Sequence, residues 1–448
     1  MPATVVLAAG AVLLWNGRPD RSRAAPTECN TWTLWIGLAV FAAAFVPIAY
    51  GSVATADRSW DGFISWSLRA KHLAPPTDLA LPFHADHAVF AHSRDYPLLQ
   101  PLVLGSFQRL LGGGEGRLLF PLLFVANALL VGAAALRKGM RPDHALLIAL
   151  AFALTPMWFS TGAGGVDSGY ATLLVAYVLS ICAAGLLLEN PFLLLIGAFL
   201  LPLSKPEATV YGVVLCTTTL FTSKRREHFA TTLGLACALI LWLPLRGSIR
   251  GTSSGSMSLV SWILGASFLL IGLKEWLLLC AFPTRKLLGI ALGLGILMVA
   301  SLLLAKTRLA SSQDLVMGIF LSRIDTVPER LLELPTLLLG YLEGFTYLRK
   351  YGLVFVIAIA LVALPQRTSG RPPSIPVALF LALGIATVCS AMLLSPEQDL
   401  EHEFRSRFDR LLLHWTGVAW LVVGPWLASI LRAPEVVSPR VGGGAADH

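Results

Sequence analysis

From Trp32 to Tyr50 the chain runs without a single charged side chain, and comparable apolar runs recur almost to its end. The clearest are Leu118 to Leu136, Tyr170 to Leu188, Phe229 to Leu245, Leu287 to Ala305, Pro376 to Leu394 and Leu411 to Leu431. A helix needs ~20 such residues to cross a hydrocarbon core. In lipid the backbone polar groups are satisfied only within a helix or a closed barrel, and unbroken runs of this length do not fit a barrel's alternating pattern. The sequence therefore predicts an all-α polytopic membrane protein. With 56% hydrophobic residues and a mean hydropathy of +0.71, a water-soluble globule is excluded. The first apolar run, Ala3 to Trp15, lacks a basic region before it and a small-x-small cleavage site after it. It is read as a first helix rather than a signal peptide. The expected total is about twelve spans, or about thirteen if that run also crosses.

Basic residues order the spans. Arg18, Arg21 and Arg23, then Arg137, Lys138 and Arg141, then Lys224, Arg225 and Arg226, then Arg285 with Lys286, Arg367 with Arg371, and finally Arg432 fall at alternate turns. Counting spans and counting charges thus give the same cytoplasmic side. The net charge of +8 lies largely in these short loops, so nucleic acid is not an expected partner. Residues 51–116, 161–167, 204–207 and 395–410 are expected on the opposite, extracytoplasmic side. Residues 306–351 join them, with acidic groups nearly balancing the basic ones, and Leu331 to Leu348 has the character of a helix lying in the interface. The expected layout is an N-terminal helix and linker over 1–32, a membrane core over 33–221, further membrane helices over 222–432, and a disordered tail over 433–448. Five of the six cysteines lie in apolar runs, without the spacing of a disulfide framework or a CxxC metal pair.

The densest group of ionisable residues lies between Trp60 and Leu99. It reads WDGFISWSLRAKHL, then a Pro-broken connection, then HSRDYPLLQPL. The order Trp60-Asp61, Trp66, Lys71 and then Asp95-Tyr96-Pro97 resembles the first extracytoplasmic loop of the GT-C membrane glycosyltransferases. The nearest branch includes the protein O-mannosyltransferases and lipid A aminoarabinose transferases. The resemblance covers residues 33 to 221 by motif and the rest by span pattern. It implies a GT-C-like bundle with a large helical first loop in a bacterial inner membrane, its active site on the extracytoplasmic side. It also implies an inverting transfer of sugar from a polyprenyl-phosphate donor to a glycan, lipid or protein acceptor.

Such a transfer needs a carboxylate to deprotonate the acceptor and cations to stabilise the departing phosphate. By resemblance Asp61 is the base, although Asp also serves as a helix cap before Gly62. Asp167, in Gly-Val-Asp, resembles the family's second acidic position without its aromatic neighbour; as a plain N-cap it needs no function. Lys205, in Ser-Lys-Pro-Glu, resembles the lysine of the family's Lys-x-Glu turn and brings Glu207 with it. Arg410, just before the last apolar run, resembles the arginine that opens a late helix, and its forked donors suit a phosphate. Trp60, Trp66, Arg69, Lys71, Asp95, Tyr96 and His402 complete the expected substrate-binding set. For Lys205 the competing reading is a lysine reaching to the interface, and for Arg410 an ion pair with Asp409 or Glu401.

His72, His84, His87 and His92 invite a metal reading, with His84 and His87 flanking Asp86 at a spacing that suits zinc. No fixed motif supports it, and the loop has no Asp-x-Asp pair, so a divalent cation is allowed but not required. The competing function is a transporter or flippase of a lipid-linked glycan. That class predicts polar groups at mid-membrane and repeated halves, whereas these charges crowd one face.

Overall fold

A computed structural model describes residues 31–54, 66–73, 96–111, 113–160, 165–166, 168–222, 224–250, 328, 332–346, 348–363, 374–393 and 404–430. The described residues form helices and turns and no strand. In chain order the helices are α1 (Thr31–Ala54), α2 (Arg69–Leu73), α3 (Leu99–Leu111), α4 (Leu119–Arg137) and α5 (Pro142–Ala153). Then come α6 (Thr172–Leu188), α7 (Pro191–Ser204), α8 (Ala208–Thr222), α9 (Arg225–Arg250) and α10 (Leu334–Thr346). The last four are α11 (Leu348–Tyr351), α12 (Val354–Ala363), α13 (Ile375–Leu393) and α14 (Asp409–Ile430). Among the described residues, three helical stretches, Trp35–Ser52, Gly116–Arg137 and Ile375–Leu393, are long and apolar enough to cross a membrane, and α5, α6, α7, α8 and α12 are shorter apolar helices.

Helix α6 is the axis of the bundle. Every residue from Thr172 to Leu187 is buried, and α4, α7, α13 and α14 pack around it. Lipid tails give no hydrophobic reason for such helices to associate, so they must approach closely through small residues. The seams follow that rule. Gly197 of α7 lies on the Cys182 thiol of α6, Gly234 of α9 lies on the Leu195 carbonyl, and Gly384 of α13 lies under the Trp415 indole. Outward, Leu122, Leu129 and Leu136 are exposed along one stripe of α4. An apolar stripe seven residues apart, turned away from the core, suits hydrocarbon and not water.

The apolar run from Ala145 predicted a helix continuing to Ser160, but α5 stops at Ala153. Pro156 sets the limit: it supplies no N–H and disfavours helical backbone in the preceding residue, so Thr155 is extended before a short 3₁₀ turn at Pro156–Phe159. Gly112 to Gly114 reads as a hinge, and the chain from Gly113 instead winds as a 3₁₀ segment to Leu118 that leads into α4. The expected interfacial helix from Leu331 begins as α10 at Leu334, with Leu338, Leu339 and Leu342 exposed.

One end of the bundle is fixed by the predicted cytoplasmic turns. Lys138 Nζ donates to the Leu187 carbonyl at 2.8 Å, and Lys224 pairs with Glu189. The Lys224 N–H donates back to Glu227 Oε2 at 3.3 Å, half of a capping box that starts α9. The turns after α4, α6 and α8 therefore meet at the same end.

Candidate functional site

The opposite end gathers segments from distant parts of the sequence. Residues 66–68 form one wide helical turn that continues into α2 and carries Trp66 and Arg69, both buried. The Trp66 ring stacks on Tyr96 with centroids 5.3 Å apart and planes within 13°. Arg69 Nη2 donates to the Tyr96 carbonyl at 3.1 Å, so one residue receives both the aromatic and the cationic contact. Burial lowers the Arg69 guanidinium to about 10, which leaves it charged at neutral pH. Lys71 is on the same short helix and is exposed.

Four residues after Tyr96, Gln100 lies on the first turn of α3 and is buried. Its Nε2 donates to the Gly169 carbonyl at 3.0 Å, tying the first loop to the turn before α6. That turn is wound on itself. Val166 N–H donates to the Trp158 carbonyl at 2.8 Å, Ser168 Oγ donates to the Gly165 carbonyl at 2.7 Å, and Tyr170 N–H donates to Ser168 Oγ at 3.2 Å. Gly169 has φ +74, a backbone conformation that glycine adopts without a Cβ clash. The turn presents the Tyr170 ring, over which the Arg410 guanidinium lies 5.0 Å from the centroid. A cation on the face of a tyrosine is held by the ring quadrupole.

Lys205 enters from the third side. Pro206 forces it out of helical backbone, ending α7 with Lys205 extended and buried. Its ammonium pairs with Glu207. One turn beneath Arg410 on α14, four residues further on, lies His414, fully buried. Its Nδ1 is 3.3 Å from the Tyr211 hydroxyl, and the Tyr211 ring also meets the Trp415 indole edge-on at 5.2 Å. Arg410 lies one turn before His414 on the same helix, and Glu207, the partner of Lys205, lies one turn before Tyr211. The cations predicted from opposite halves of the chain thus belong to turns that lead into the Tyr211–His414 contact.

The start of α14 is clamped from outside the site. Asp409 accepts from Lys350 Nζ at 2.7 Å, and the Tyr351 hydroxyl donates to the Asp409 carbonyl. Tyr341, Phe345, Phe404 and Phe408 stack beside them over Gly340 and Gly344. Asp409 therefore faces Lys350, and Arg410 faces Tyr170.

Compared with models of known protein families, with curated proteins and with solved structures, the chain matches none. The geometry stands on its own. Of the expected site residues, Trp66, Arg69 and Tyr96 form one contact group, Lys205 pairs with Glu207, and Arg410 lies over Tyr170 one turn before His414. Gln100, Gly169 and Tyr170 link the first group to Arg410. Trp60, Asp61, Asp95, Asp167 and His402 lie outside the described residues, as do His84, Asp86, His87 and His92. Among the described residues no group of three or more His, Cys, Asp or Glu side chains is placed to hold a metal, and Cys182, Cys216, Cys237 and Cys389 are free thiols.

Sequence reasoning missed Gln100, Tyr170, Tyr211 and His414. Two of them had a usable signal, since His414 follows Arg410 by four and Tyr211 follows Glu207 by four, the spacing of one helical face. Gln100 and Tyr170 meet their partners only through tertiary contacts. Chemically, a buried guanidinium, a second guanidinium held on a ring and a recessed ammonium beside one carboxylate make a site suited to an anion.

Proposed function

We propose that the chain is a GT-C-like polytopic glycosyltransferase that takes a sugar from a polyprenyl-phosphate donor and transfers it with inversion to an acceptor at the extracytoplasmic membrane face. The observation that carries the reading is that the Lys205–Glu207 pair and Arg410, held over Tyr170, stand at the turns leading into the Tyr211–His414 contact, at the end of the bundle that also holds Arg69. In this reading the donor's phosphate is stabilised by Lys205 and Arg410 as it leaves, with Glu207 orienting Lys205. Asp61 takes the acceptor's proton, and Asp167 assists. Neutralising a leaving phosphate with fixed cations requires no metal step. The end of the bundle with Lys138, Glu189 and Lys224 is then cytoplasmic.

The test is direct. Purified protein in nanodiscs is incubated with radiolabelled polyprenyl-phosphate sugars and a membrane extract as acceptor source, and label is followed into product. Transfer that requires the lipid-linked donor supports the reading; no transfer from any such donor removes it. A second reading, a carrier of lipid-linked glycans, draws on one observation. Asn127, midway along α4, is buried against Gly417 and has no hydrogen-bond partner for its amide among the described residues. Movement of labelled lipid-linked glycan across a sealed vesicle without covalent transfer favours that reading instead.

A further inference from the structure

Among the buried polar atoms at the site end, His414 Nε2 has the most telling position. The side chain is fully buried, and Nε2 has no hydrogen-bond partner among the described residues. Its other nitrogen is occupied by the Tyr211 hydroxyl at 3.3 Å. If that hydroxyl donates to Nδ1, the imidazole proton resides on Nε2, and a buried N–H without an acceptor is costly to keep. Arg410 lies one turn before the ring, and the turn that carries Lys205 leads into Tyr211, so the acceptor that best completes the group is an anionic oxygen. A further cation would add a third positive charge to a site whose nearest compensation, Glu207, is already paired with Lys205.

We infer that His414 is a third donor to the phosphate, its Nε2–H binding a phosphoryl oxygen that Lys205 and Arg410 also contact. The inference rests on the donor-phosphate part of the function proposed above and adds a residue to it. Tyr211 has a positioning role: it fixes the ring's tautomer and aims Nε2 at the ligand. His414 lies one turn from Arg410 on the same helix, and the inferred phosphate approaches it past Arg410. Bulk anions at the surface meet Arg410 first.

The probe is farnesyl phosphate, a single isoprenoid chain ending in phosphate, titrated into the full-length protein in nanodiscs and read by calorimetry. Farnesol and inorganic phosphate are the two control ligands. Two variants separate the nitrogens: His414→Gln extends an amide N–H toward the place of Nε2, and His414→Asn offers one nearer Nδ1. The wild type is expected to bind farnesyl phosphate more tightly than either control. His414→Asn should weaken it by roughly tenfold, the loss of one charge-assisted bond, and His414→Gln by less than about threefold. Tyr211→Phe should fall between them. Monodisperse elution and unchanged thermal unfolding establish that each variant is folded.

Wild-type affinity in His414→Asn, or equal losses in the Asn and Gln variants, overturns the inference, since the second pattern is that of a packing residue. Absence of wild-type binding to farnesyl phosphate overturns it as well, as does binding of inorganic phosphate with equal affinity. Failure of the two proposals is distinguishable. Sugar transfer with His414-independent farnesyl phosphate binding removes His414 and leaves the enzyme. His414-dependent binding without any sugar transfer leaves the phosphate site and removes the enzyme.

Discussion

Lys350→Met should destabilise the protein by about 2 kcal/mol, and Asp409→Asn added to it should return much of that loss. The Lys350 ammonium meets Asp409 Oδ2 at 2.7 Å, with the lysine side chain 22% exposed and the aspartate 5%. Exposed ion pairs contribute ~0–1 kcal/mol, whereas removing one partner of a fully buried pair costs ~3–5 kcal/mol. This pair lies between those limits. Methionine keeps the length of the stem and most of its packing, so the change isolates the charge. It leaves an aspartate carboxylate buried at the first position of α14, where the helix dipole stabilises it by only ~0.3–1 kcal/mol. Asparagine then removes the uncompensated charge. The measurement is a double-mutant cycle by reversible unfolding in bicelles, with a coupling of at least ~1 kcal/mol expected for groups in contact. Additive losses, or a Lys350→Met variant within about 0.5 kcal/mol of wild type, refute the argument that this pair fixes the start of the helix carrying Arg410 and His414.

Arg410→Lys should raise the apparent KM for the lipid donor nearly as much as Arg410→Ala, roughly tenfold or more, because an ammonium supplies neither the fork nor the planar contact with Tyr170; separate donor and acceptor titrations check it. Asp61→Asn should lower turnover by ~10² or more with expression intact, and wild-type turnover would leave Asp61 a helix cap. An impermeant thiol reagent applied to whole cells should label Ser93→Cys and spare Ser223→Cys; the reverse pattern inverts the assigned sides. Glu189 is held below the usual carboxylate range, first by the Lys224 hydrogen bond and then by the Lys224 and Lys138 charges. A depressed carboxylate stabilises the fold above its unfolded value and loses that contribution as pH falls through the folded one. The stability difference between wild type and Glu189→Gln should therefore be present at neutral pH and vanish in acid, and a difference that grows on acidification contradicts the assignment.

The helices were legible because hydrophobic runs are a local property. Trp32 to Tyr50 became α1, Tyr170 to Leu188 became α6, and Pro376 to Leu394 became α13, each with ends shifted by a few residues. The early end of α5 was legible too, in Thr155-Pro156, but the apolar run on either side outweighed it in a reading by hydropathy. Burial order was not legible. Helices α6 and α12 are both almost wholly apolar, yet α6 is enclosed and α12 is buried at only some of its positions. In a membrane chain, composition reports contact with something apolar and does not say whether that is lipid or protein. The charged site residues stood out for the same reason that they are costly in lipid, while His414 and Tyr211 were hidden inside apolar runs.

Helix lengths give the site its depth. Helix α7 has 14 residues and α8 has 15, or roughly 21 and 22 Å at 1.5 Å per residue. The stretch from Gly116 to Arg137 has 22 residues, roughly 33 Å, enough for a hydrocarbon core of ~30 Å. All three leave from the end that holds the Lys138 and Lys224 contacts, and the shorter pair falls roughly 10 Å short of the longer stretch in axial length. The turn between them is Lys205-Pro206-Glu207. A charged turn that stops short of the opposite surface is unfavourable unless its ions are paired and its approach is covered by polar groups. Here Glu207 pairs with Lys205, and Arg410 lies over the Tyr170 ring. Under the function proposed above, the shorter pair sets this charge below the level of ordinary headgroups. A phosphate carried on an isoprenoid chain can descend to that level with its tail still in lipid, while a soluble phosphate would have to leave water to get there. Under the function proposed above, a lipid-borne anion is the ligand that such a turn, set by two short helices and one proline, favours.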